Sequence, residues 1–401
     1  MQDTGPLAGL RVLDLSTMIS GNWATLTFAD FGADVIAVEH PDRPDPVRDW
    51  NPAVSGHSLW WKAIGHNKRS VTVDLSTDPG REVALDLAKD ADIVVENFRP
   101  GTMESWDLGY EDLRAVNEGI IMVRISGFGQ TGPKADDPGF GSIAEGLSQF
   151  AHINGFPESE PLLPPMPLAD MVAGSCAVQG AMFAIFERDI GHGGSGEGQV
   201  IDVSLYEPLF RMMLADPEAY HKQGIIRDRT GNRSTNTAPR NLYEAKDGYV
   251  TLSASSQAIF ENVMRAIDRE ELIDDPRFAD NESRLENVDA LDEIIEEWMA
   301  TRTREEVIET MTEQSAIVGP VYDIEDIFES ALYDAREDLV EIEDQDVGTL
   351  VTHNVQPKLS RTPGEVSHAG PRHGEHTEEV LLDELEMAEE RFAKLRESGV
   401  I

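Results

Sequence analysis

Residues 11–39 read RVLDLSTMISGNWATLTFADFGADVIAVE, and this stretch determines the predicted fold class. The β-branched runs at 11–15 and 34–39 predict strands, and the interval 22–31 between them has the pattern of a helix. A strand, a helix and a second strand in this order form a βαβ unit, which implies a parallel sheet. Such sheets bind ligands beyond the carboxyl ends of their strands, so functional residues are expected there.

The same alternation continues along the chain. Strands are also predicted at 70–75, 92–98, 120–125 and 199–204, and helices at 81–89, 111–116 and 170–188. The polar stretch 223–240 lacks apolar periodicity and is interpreted as a linker. The predicted fold class is therefore α/β. A large Rossmann-like parallel-sheet domain is predicted over 1–222, and a linker with a smaller α+β domain over 223–335. The chain then returns to the large domain over 336–401 and ends in a long helix capped by Thr377.

The composition excludes several classes of function. The 401 residues include 33 basic and 75 acidic ones, a formal net charge of −42. A surface this negative repels phosphate backbones and anionic headgroups, so neither nucleic acid nor a membrane is an expected partner. Only eight of the basic residues are lysines. Acid enrichment with lysine depletion predicts a halophilic protein, because concentrated salt screens self-repulsion to within ~3 Å; the alternative is an ordinary acidic protein of dilute cytosol.

Two further observations concern redox chemistry and location. Cys176 is the only cysteine, so neither an intrachain disulfide nor a cysteine-based zinc site is predicted. The amino terminus lacks a basic start followed by an apolar run, and no uninterrupted apolar segment approaches ~18 residues. We therefore expect a soluble, cytoplasmic protein.

Two glycine patterns and a histidine cluster have cofactor-like spacing without the required context. G-x-G-x-x-G occurs at 127–132, where Pro133 follows instead of a helix, and at 191–196, which precedes a strand. We interpret both as turns and predict no nicotinamide or flavin cofactor. The three histidines between 368 and 376 lack a cysteine or carboxylate set that would complete a metal site. No metal and no resident cofactor are therefore expected.

Asp170 is the sharpest candidate for chemistry. It ends the extended segment 164–170 and begins a helix that continues with the small residues Ala173 and Gly174. A carboxylate at this position interacts favourably with free backbone amides and with the positive end of the helix dipole. Most aspartates so placed only cap a helix, so the residues alone leave a structural and a catalytic role open.

A series of short motifs in a defined order gives the chain a family resemblance. The motifs are GLRVLDLS at 9–16, FGADVIAVE at 31–39, NKRS at 67–70, VENFRPG at 95–101, ISGFGQTGP at 125–133, LAD at 168–170, GQVIDVS at 198–204, DGYV at 247–250, GP at 319–320, LSRTP at 359–363 and GEHT at 374–377. The series resembles the class III coenzyme A transferase family, which contains formyl-CoA transferase and carnitine CoA-transferase. The resemblance covers essentially the whole chain.

The resemblance implies an architecture and a mechanism. In that family a large α/β domain made from both chain ends joins a small domain, and two chains interlock like linked rings, so an interlocked homodimer is expected. The family's nucleophilic aspartate matches Asp170, whose attack on the donor thioester yields a mixed anhydride and CoA thiolate. The thiolate then attacks the aspartyl carbonyl to leave an aspartyl-CoA thioester, and the acceptor acid reverses the sequence. The CoA thioester is a substrate, and no other cofactor is implied.

The resemblance also assigns CoA-binding residues. The family's CoA contacts match Met18, His40, Val73, Leu75 and Asn97. Because His40 and Ser105 stand where other members often have arginine, phosphate recognition is expected to shift to other basic residues. These are Lys68, Arg69 and Arg99.

Further matches concern the acyl groups. Aromatic positions that face the acyl pocket match Trp50 and Phe140, and the loop that covers the aspartate matches 253–257. The family's glycines are absent from that loop, so the expected oxyanion donors are Ser255, Ser256 and Gln257. Arg240, together with Arg233, is a candidate to hold a second carboxylate of the acceptor, or alternatively caps the linker or faces the partner chain.

The resemblance suggests a substrate pair and leaves alternatives. The stretch 231–240 is similar to that of succinyl-CoA-dependent members that act on mesaconate, citramalate or malate, so succinyl-CoA:mesaconate-type transfer is predicted. Intramolecular CoA transfer is one alternative. Another is α-methylacyl-CoA racemase chemistry, whose histidine falls at Phe140, and phenylalanine cannot carry a proton. A non-catalytic CoA-binding protein is a third, and Asp170 in its motif argues against it.

Overall fold

The computed structural model describes residues 5–401, which form two compact units. The first, called here the sheet unit, contains the residues up to Phe150 together with Leu163–Gln223 and Arg336–Ile401. The second, called the small unit, contains Ala151–Leu162 and Gly224–Ala335. The predicted large domain included 151–162, but this segment groups with the small unit, where the Gly155 carbonyl accepts a hydrogen bond from the Gly231 amide at 2.9 Å.

Six parallel strands form the central sheet of the sheet unit. They are β1 (Arg11–Asp14), β2 (Asp34–Glu39), β3 (Arg69–Thr72), β4 (Ile93–Glu96), β5 (Ile121–Ser126) and β6 (Val200–Ser204). Their order is β3-β2-β1-β4-β5-β6, and every neighbouring pair is parallel. This sheet confirms the predicted α/β class. Both β4 and β5 are buried along their whole length, as expected of strands covered on both faces.

Helices lie between these strands along the chain and after the last of them. They are α1 (Ser20–Asp30), α2 (Leu59–Ile64), α3 (Asp78–Ala88), α4 (Thr102–Ser105), α5 (Tyr110–Val116), α6 (Gly141–Leu147), α7 (Phe150–Ile153), α8 (Leu168–Asp189), α9 (Glu207–Arg211) and α10 (Asp216–Gln223), with 3₁₀ turns at Pro46–Asp49 and Gly191–Gly193. A two-strand hairpin pairs Ala53–Val54 with His57–Ser58. On one face of the sheet, Leu13 and Ile36 belong to an apolar cluster with Leu87 of α3 and with Val380 from the carboxyl-terminal segment. Both ends of the chain therefore contribute to this core.

The opposite face of the sheet is covered by α1 and α8. The sheet-facing stripe of α8 contains Ala169, Ala173, Ala177 and Ala181, all buried in one apolar cluster with strand residues. Because α8 leads into the parallel strand β6, it begins at the carboxyl edge of the sheet. By length and composition α8 is apolar enough to cross a membrane, and its alanine stripe is buried against the sheet.

A three-stranded antiparallel sheet organises the small unit. Its strands are β7 (Arg240–Ala245), β8 (Gly248–Ser253) and β9 (Val318–Pro320), in the order β9-β8-β7. Its helices are α11 (Gln257–Ala266), α12 (Asn281–Glu286), α13 (Val288–Met299), α14 (Arg304–Glu313), α15 (Ile324–Glu329) and α16 (Ala331–Ala335), with a 3₁₀ turn at Glu270–Leu272. Tyr243 and Val250 of the sheet share a buried cluster with Phe260 and Leu291. The small unit therefore has a core of its own.

The carboxyl-terminal segment differs from its prediction. It forms an antiparallel pair, β10 (Leu339–Asp344) and β11 (Gly348–His353), then a π-helix over Glu379–Glu384 and a separate helix α17 (Glu389–Glu397). The predicted continuous helix capped by Thr377 is wrong. The Thr377 hydroxyl oxygen accepts a hydrogen bond from the Thr72 amide at 3.0 Å, and the backbone turns at Glu386, whose φ is 50°.

Two lysines are buried in the sheet unit, and both are ion-paired. Lys62 Nζ of α2 donates to Asp344 Oδ2 at 2.7 Å, which ties that helix to β10. Lys68 Nζ, just before β3, donates to Asp14 Oδ2 at 3.1 Å and to Asn22 Oδ1 at 2.7 Å. The Lys68 and Asp14 side chains are 0% and 1% exposed. The remaining lysines are exposed.

Candidate active site

Asp170 lies in the first turn of α8, at the carboxyl edge of the sheet. It is the third residue of the helix, and the N-cap position is occupied by Pro167, which makes no side-chain hydrogen bond to the helix. Asp170 is therefore not the N-cap residue of α8. Burial, followed by the nearby charge of Glu145, raises the pKa of Asp170 to about 6.

The carboxylate of Asp170 occupies the space that a side chain at position 141 would otherwise fill. Gly141 is the first residue of α6, and a Cβ atom built on it collides with Asp170 Oδ2. Gly146, on the same helix, has nothing within 4 Å of a Cβ built in the same way. The absence of a side chain at Gly141 is therefore required by Asp170.

Glu145 is a second carboxylate beside Asp170 and was not among the predicted site residues. It lies one helical turn after Gly141, and the residue is 3% exposed. Its Oε1 atom accepts a hydrogen bond from the Ala169 amide at 3.3 Å, and its carboxylate also accepts from the Leu168 amide. Burial raises the pKa of Glu145, with these amides acting in the opposite direction. The signal in the sequence is an acidic residue four positions after Gly141 in a short helix.

Met18 and Asn97 meet at the carboxyl ends of β1 and β4. The Asn97 side chain brackets the backbone of Thr17, accepting from its amide at 2.9 Å and donating to its carbonyl at 2.6 Å. The Met18 amide donates to Asp45 Oδ2 at 3.0 Å, and the φ of Met18 is 66°. Side chains on both sides therefore hold this loop in a conformation that non-glycine residues seldom adopt.

An apolar cavity of about 250 Å³ opens at the carboxyl ends of β1, β2 and β3. Its apolar wall consists of Leu15, Val38, Val73, Leu75, Phe98 and Trp106. The rings of Phe98 and Trp106 pack edge to face, with centroids 5.2 Å apart. His40 also lines the cavity, with its Nε2 atom 3.5 Å from Asp74 Oδ2. The structure thus brings His40, Val73 and Leu75 to one cavity.

The basic residues predicted to bind phosphate divide into two groups. Arg99 is exposed beyond β4 and forms no ion pair among the described residues. Arg69 begins β3 and therefore lies at the opposite, amino edge of the sheet, where it donates to Asp34 and Glu384. These carboxylates outweigh burial and raise the pKa of Arg69. The prediction that Arg69 lies with the CoA contacts is wrong. Lys68 is fully buried against Asp14, so the prediction that its side chain binds a phosphate is also wrong.

Arg43 is a basic residue of this edge that was not among the predicted phosphate ligands. It lines the apolar cavity beside His40, is exposed, and forms no ion pair within residues 5–401. Its only sequence signal is its position four residues after β2. Arg43 and Arg99 are thus basic side chains left available at the carboxyl edge.

The two aromatic residues assigned to the acyl pocket have different surroundings. Trp50 packs edge to face on Trp60 at 5.5 Å, in an apolar cluster that also contains Met171, the neighbour of Asp170 in sequence. Phe140 directly precedes Gly141 and is 67% exposed. Trp50 is therefore part of a packed cluster, whereas Phe140 presents a free ring next to the candidate nucleophile.

The remaining predicted residues belong to the small unit. Ser255, Ser256 and Gln257 are exposed, Ser256 caps α11 by accepting from the Ile259 amide at 3.3 Å, and Gln257 Oε1 accepts from Arg284 at 2.7 Å. Arg240 is exposed and forms no ion pair in the described part of the chain. Arg233 donates to Asp289 and Asp292 at 2.6 and 2.8 Å, so its proposed role as a carboxylate-binding partner of Arg240 is wrong.

Comparison with known proteins gives consistent matches over nearly the full length. The family model described as CoA-transferase family III matches residues 7–377. A succinyl-CoA–D-citramalate CoA-transferase of Chloroflexus aurantiacus is 39% identical over 398 residues, covering 99% of this chain and 98% of the relative. The beta subunit of a succinyl-CoA–L-malate CoA-transferase of the same organism is 38% identical over 403 residues, with 99% and 98% covered. The crystal structure of a CAIB/BAIF family protein from Brucella suis has a TM-score of 0.85 and 30% identity, covering 95% of this chain and all of that one.

Proposed function

This chain belongs to CoA-transferase family III, and from that premise we propose that it transfers CoA from succinyl-CoA to a short dicarboxylic acid of the mesaconate, citramalate or malate type. The observation that carries the proposal is the carboxylate of Asp170, held at the carboxyl edge of the sheet in space left free by Gly141. Relatives named for D-citramalate and L-malate support the dicarboxylate class.

The proposed reaction uses Asp170 as a covalent nucleophile. Its carboxylate attacks the thioester carbonyl of the donor, which expels CoA thiolate and forms a mixed anhydride. The thiolate attacks the aspartyl carbonyl of that anhydride, so that succinate leaves and an aspartyl-CoA thioester remains. The acceptor carboxylate attacks this thioester and releases CoA thiolate again. Attack of the thiolate on the acceptor acyl carbonyl then yields the new CoA ester and regenerates Asp170.

The apolar cavity is our proposed site for the adenine end of CoA. Its aliphatic and aromatic wall suits a flat ring system, and it opens where parallel sheets bind ligands. Arg43 and Arg99 supply positive charge there in a chain whose net charge is −42, which favours contact with the CoA phosphates. The protein thereby binds an anionic substrate despite its negative surface.

An acceptor screen tests this function. With succinyl-CoA as donor, we expect CoA transfer to mesaconate, citramalate or malate and little to propionate or butyrate, because D-citramalate and L-malate, for which the relatives are named, both carry a second carboxylate. Products are separated chromatographically in dilute buffer and in molar KCl, and the salt series also tests the halophilic proposal. Transfer to monocarboxylates alone contradicts the dicarboxylate assignment.

Gly141→Ala tests the position of the nucleophile. The new methyl group displaces the Asp170 carboxylate, and a displacement of about 1 Å costs on the order of 100-fold in rate. We expect kcat to fall by about that factor while the melting temperature changes little. Gly146→Ala is the matched control, since nothing lies near a Cβ at that position. A Gly141→Ala enzyme with the parental kcat contradicts the assignment.

A further inference from the structure

Glu145 is a buried carboxylate that the proposed reaction does not use. The residue is 3% exposed and forms no ion pair among the described residues. Its carboxylate accepts hydrogen bonds from the amides of Leu168 and Ala169, the two residues that precede Asp170 on α8. A buried carboxylate without a cation is costly to maintain, so its presence beside a nucleophile calls for a functional explanation.

The other charged groups around α8 do not act on Asp170. On α9, Glu207 and Arg211 influence Cys176, which lies further along α8. On β5, Arg124 is paired with Glu96 and Glu104, and on β6 the Asp202 carboxylate accepts from the Gln130 amide. On α1, Asp30 lies at the far end of the helix and contacts His66. His192, in the 3₁₀ turn beyond α8, lies at the opposite end of that helix.

We propose that Glu145 is a positioning residue that acts on Asp170 in two ways. Its carboxylate holds the first turn of α8 through the two amides, and its negative charge opposes loss of the proton from Asp170. The inference rests on the proposed role of Asp170 as nucleophile. A more basic carboxylate is a stronger nucleophile once ionised, and one that ionises below neutral pH is still available at pH 7.

The positions of Gly141, Glu145 and Asp170 explain why the charge of Glu145 acts on the Asp170 carboxyl. Gly141 and Glu145 are four residues apart, so they lie on the same face of α6, and Asp170 Oδ2 lies against the first of them. Burial is the larger cause of the raised pKa of Asp170, and the charge of Glu145 adds to it. The two carboxyl groups are therefore expected to titrate as a coupled pair.

Glu145→Gln separates charge from position, because glutamine keeps an oxygen that accepts the two amides. We expect the acid limb of the kcat/KM profile to move to lower pH, because the charge that opposes ionisation of Asp170 is removed. Below pH 6 the variant then retains a larger share of its own maximal rate than the parent does, since more Asp170 is ionised there. Glu145→Ala also frees the amides, so its kcat is expected to fall at every pH.

A direct titration makes the test independent of turnover. The Asp170 carboxyl carbon is followed by ¹³C NMR in aspartate-labelled protein and assigned by its loss in Asp170→Asn. In Glu145→Gln the Asp170 carboxyl is expected to titrate at lower pH than in the parent. Glu207→Gln is the control, because the Glu207 charge acts on Cys176, and in this variant the Asp170 titration is expected to stay unchanged. An unshifted Asp170 titration in Glu145→Gln overturns the inference. A shifted titration with an unshifted rate profile supports it and instead contradicts the role of Asp170 as nucleophile.

Discussion

Replacing Asp170 by asparagine is expected to lower turnover by at least about four orders of magnitude. The amide has nearly the shape of the carboxylate but is not nucleophilic toward a thioester, so the covalent steps cannot begin. Intact-protein mass spectrometry after incubation with succinyl-CoA in molar KCl detects the intermediates, with hydroxylamine converting an acyl-activated aspartate into a stable hydroxamate. We expect an adduct at Asp170 in the parent and none in the variant.

A control and a decisive negative result accompany this experiment. Asp78→Asn is the matched control, because Asp78 also lies in the first turn of a helix but its side chain is 87% exposed. It is expected to keep the parental rate and adduct. If the parent forms no adduct with several acyl-CoA donors, the covalent mechanism is contradicted. Exchange of the α proton in deuterated water then tests the racemase alternative.

The second large effect concerns stability. Lys68→Met is expected to lower the free energy of unfolding by about 3–5 kcal/mol, because it leaves the fully buried carboxylate of Asp14 without its cation. The variant also removes the Lys68 contact to Asn22, whose amide donates to Asp45 and to the Met18 carbonyl. We therefore expect a higher KM for succinyl-CoA as well. Urea denaturation and steady-state kinetics measure the two effects.

Lys89→Met is the control for this experiment. Lys89 also pairs with an aspartate, Asp86, but its side chain is 55% exposed, and surface pairs of this kind contribute little. The double variant Lys68→Met/Asp14→Asn removes both charges and is expected to recover part of the stability lost in Lys68→Met. Equal stability of Lys68→Met and Lys89→Met contradicts the assignment of the buried pair.

The fold was predictable from local pattern because the strands of the central sheet are short, apolar and separated by helices. Asp170 was identified as the nucleophile through its family motif, because the residues alone favoured a capping role over a catalytic one. Lys68 and Arg69 were misassigned because their type suggests phosphate binding, whereas strand geometry decides otherwise. Arg69 begins β3 and so lies at the amino edge, and Lys68 points into the buried network of Asp14.

Residues of the site that come together only in three dimensions could not be predicted. Glu145 lies in a short helix whose sequence does not reveal that its buried face meets the start of α8. Arg43 follows β2 in a loop without periodicity, and only the fold shows that it lines the cavity at the carboxyl ends of β1, β2 and β3. Arg233 was a plausible ligand for a carboxylate until its pairing with Asp289 and Asp292 was visible.

The burial of Lys62 and Lys68 has a consequence for covalent labelling. Reagents that acylate primary amines must reach the unprotonated amine. The other lysine side chains are exposed to such reagents, whereas those of Lys62 and Lys68 are buried. Brief acylation of the folded protein therefore spares Lys62 and Lys68, and their modification reports opening of the sheet unit. The scarcity of lysine elsewhere makes the resulting peptide map short enough to follow each site separately. Lysine thus occupies two places where the fold leaves its side chain at most 4% exposed.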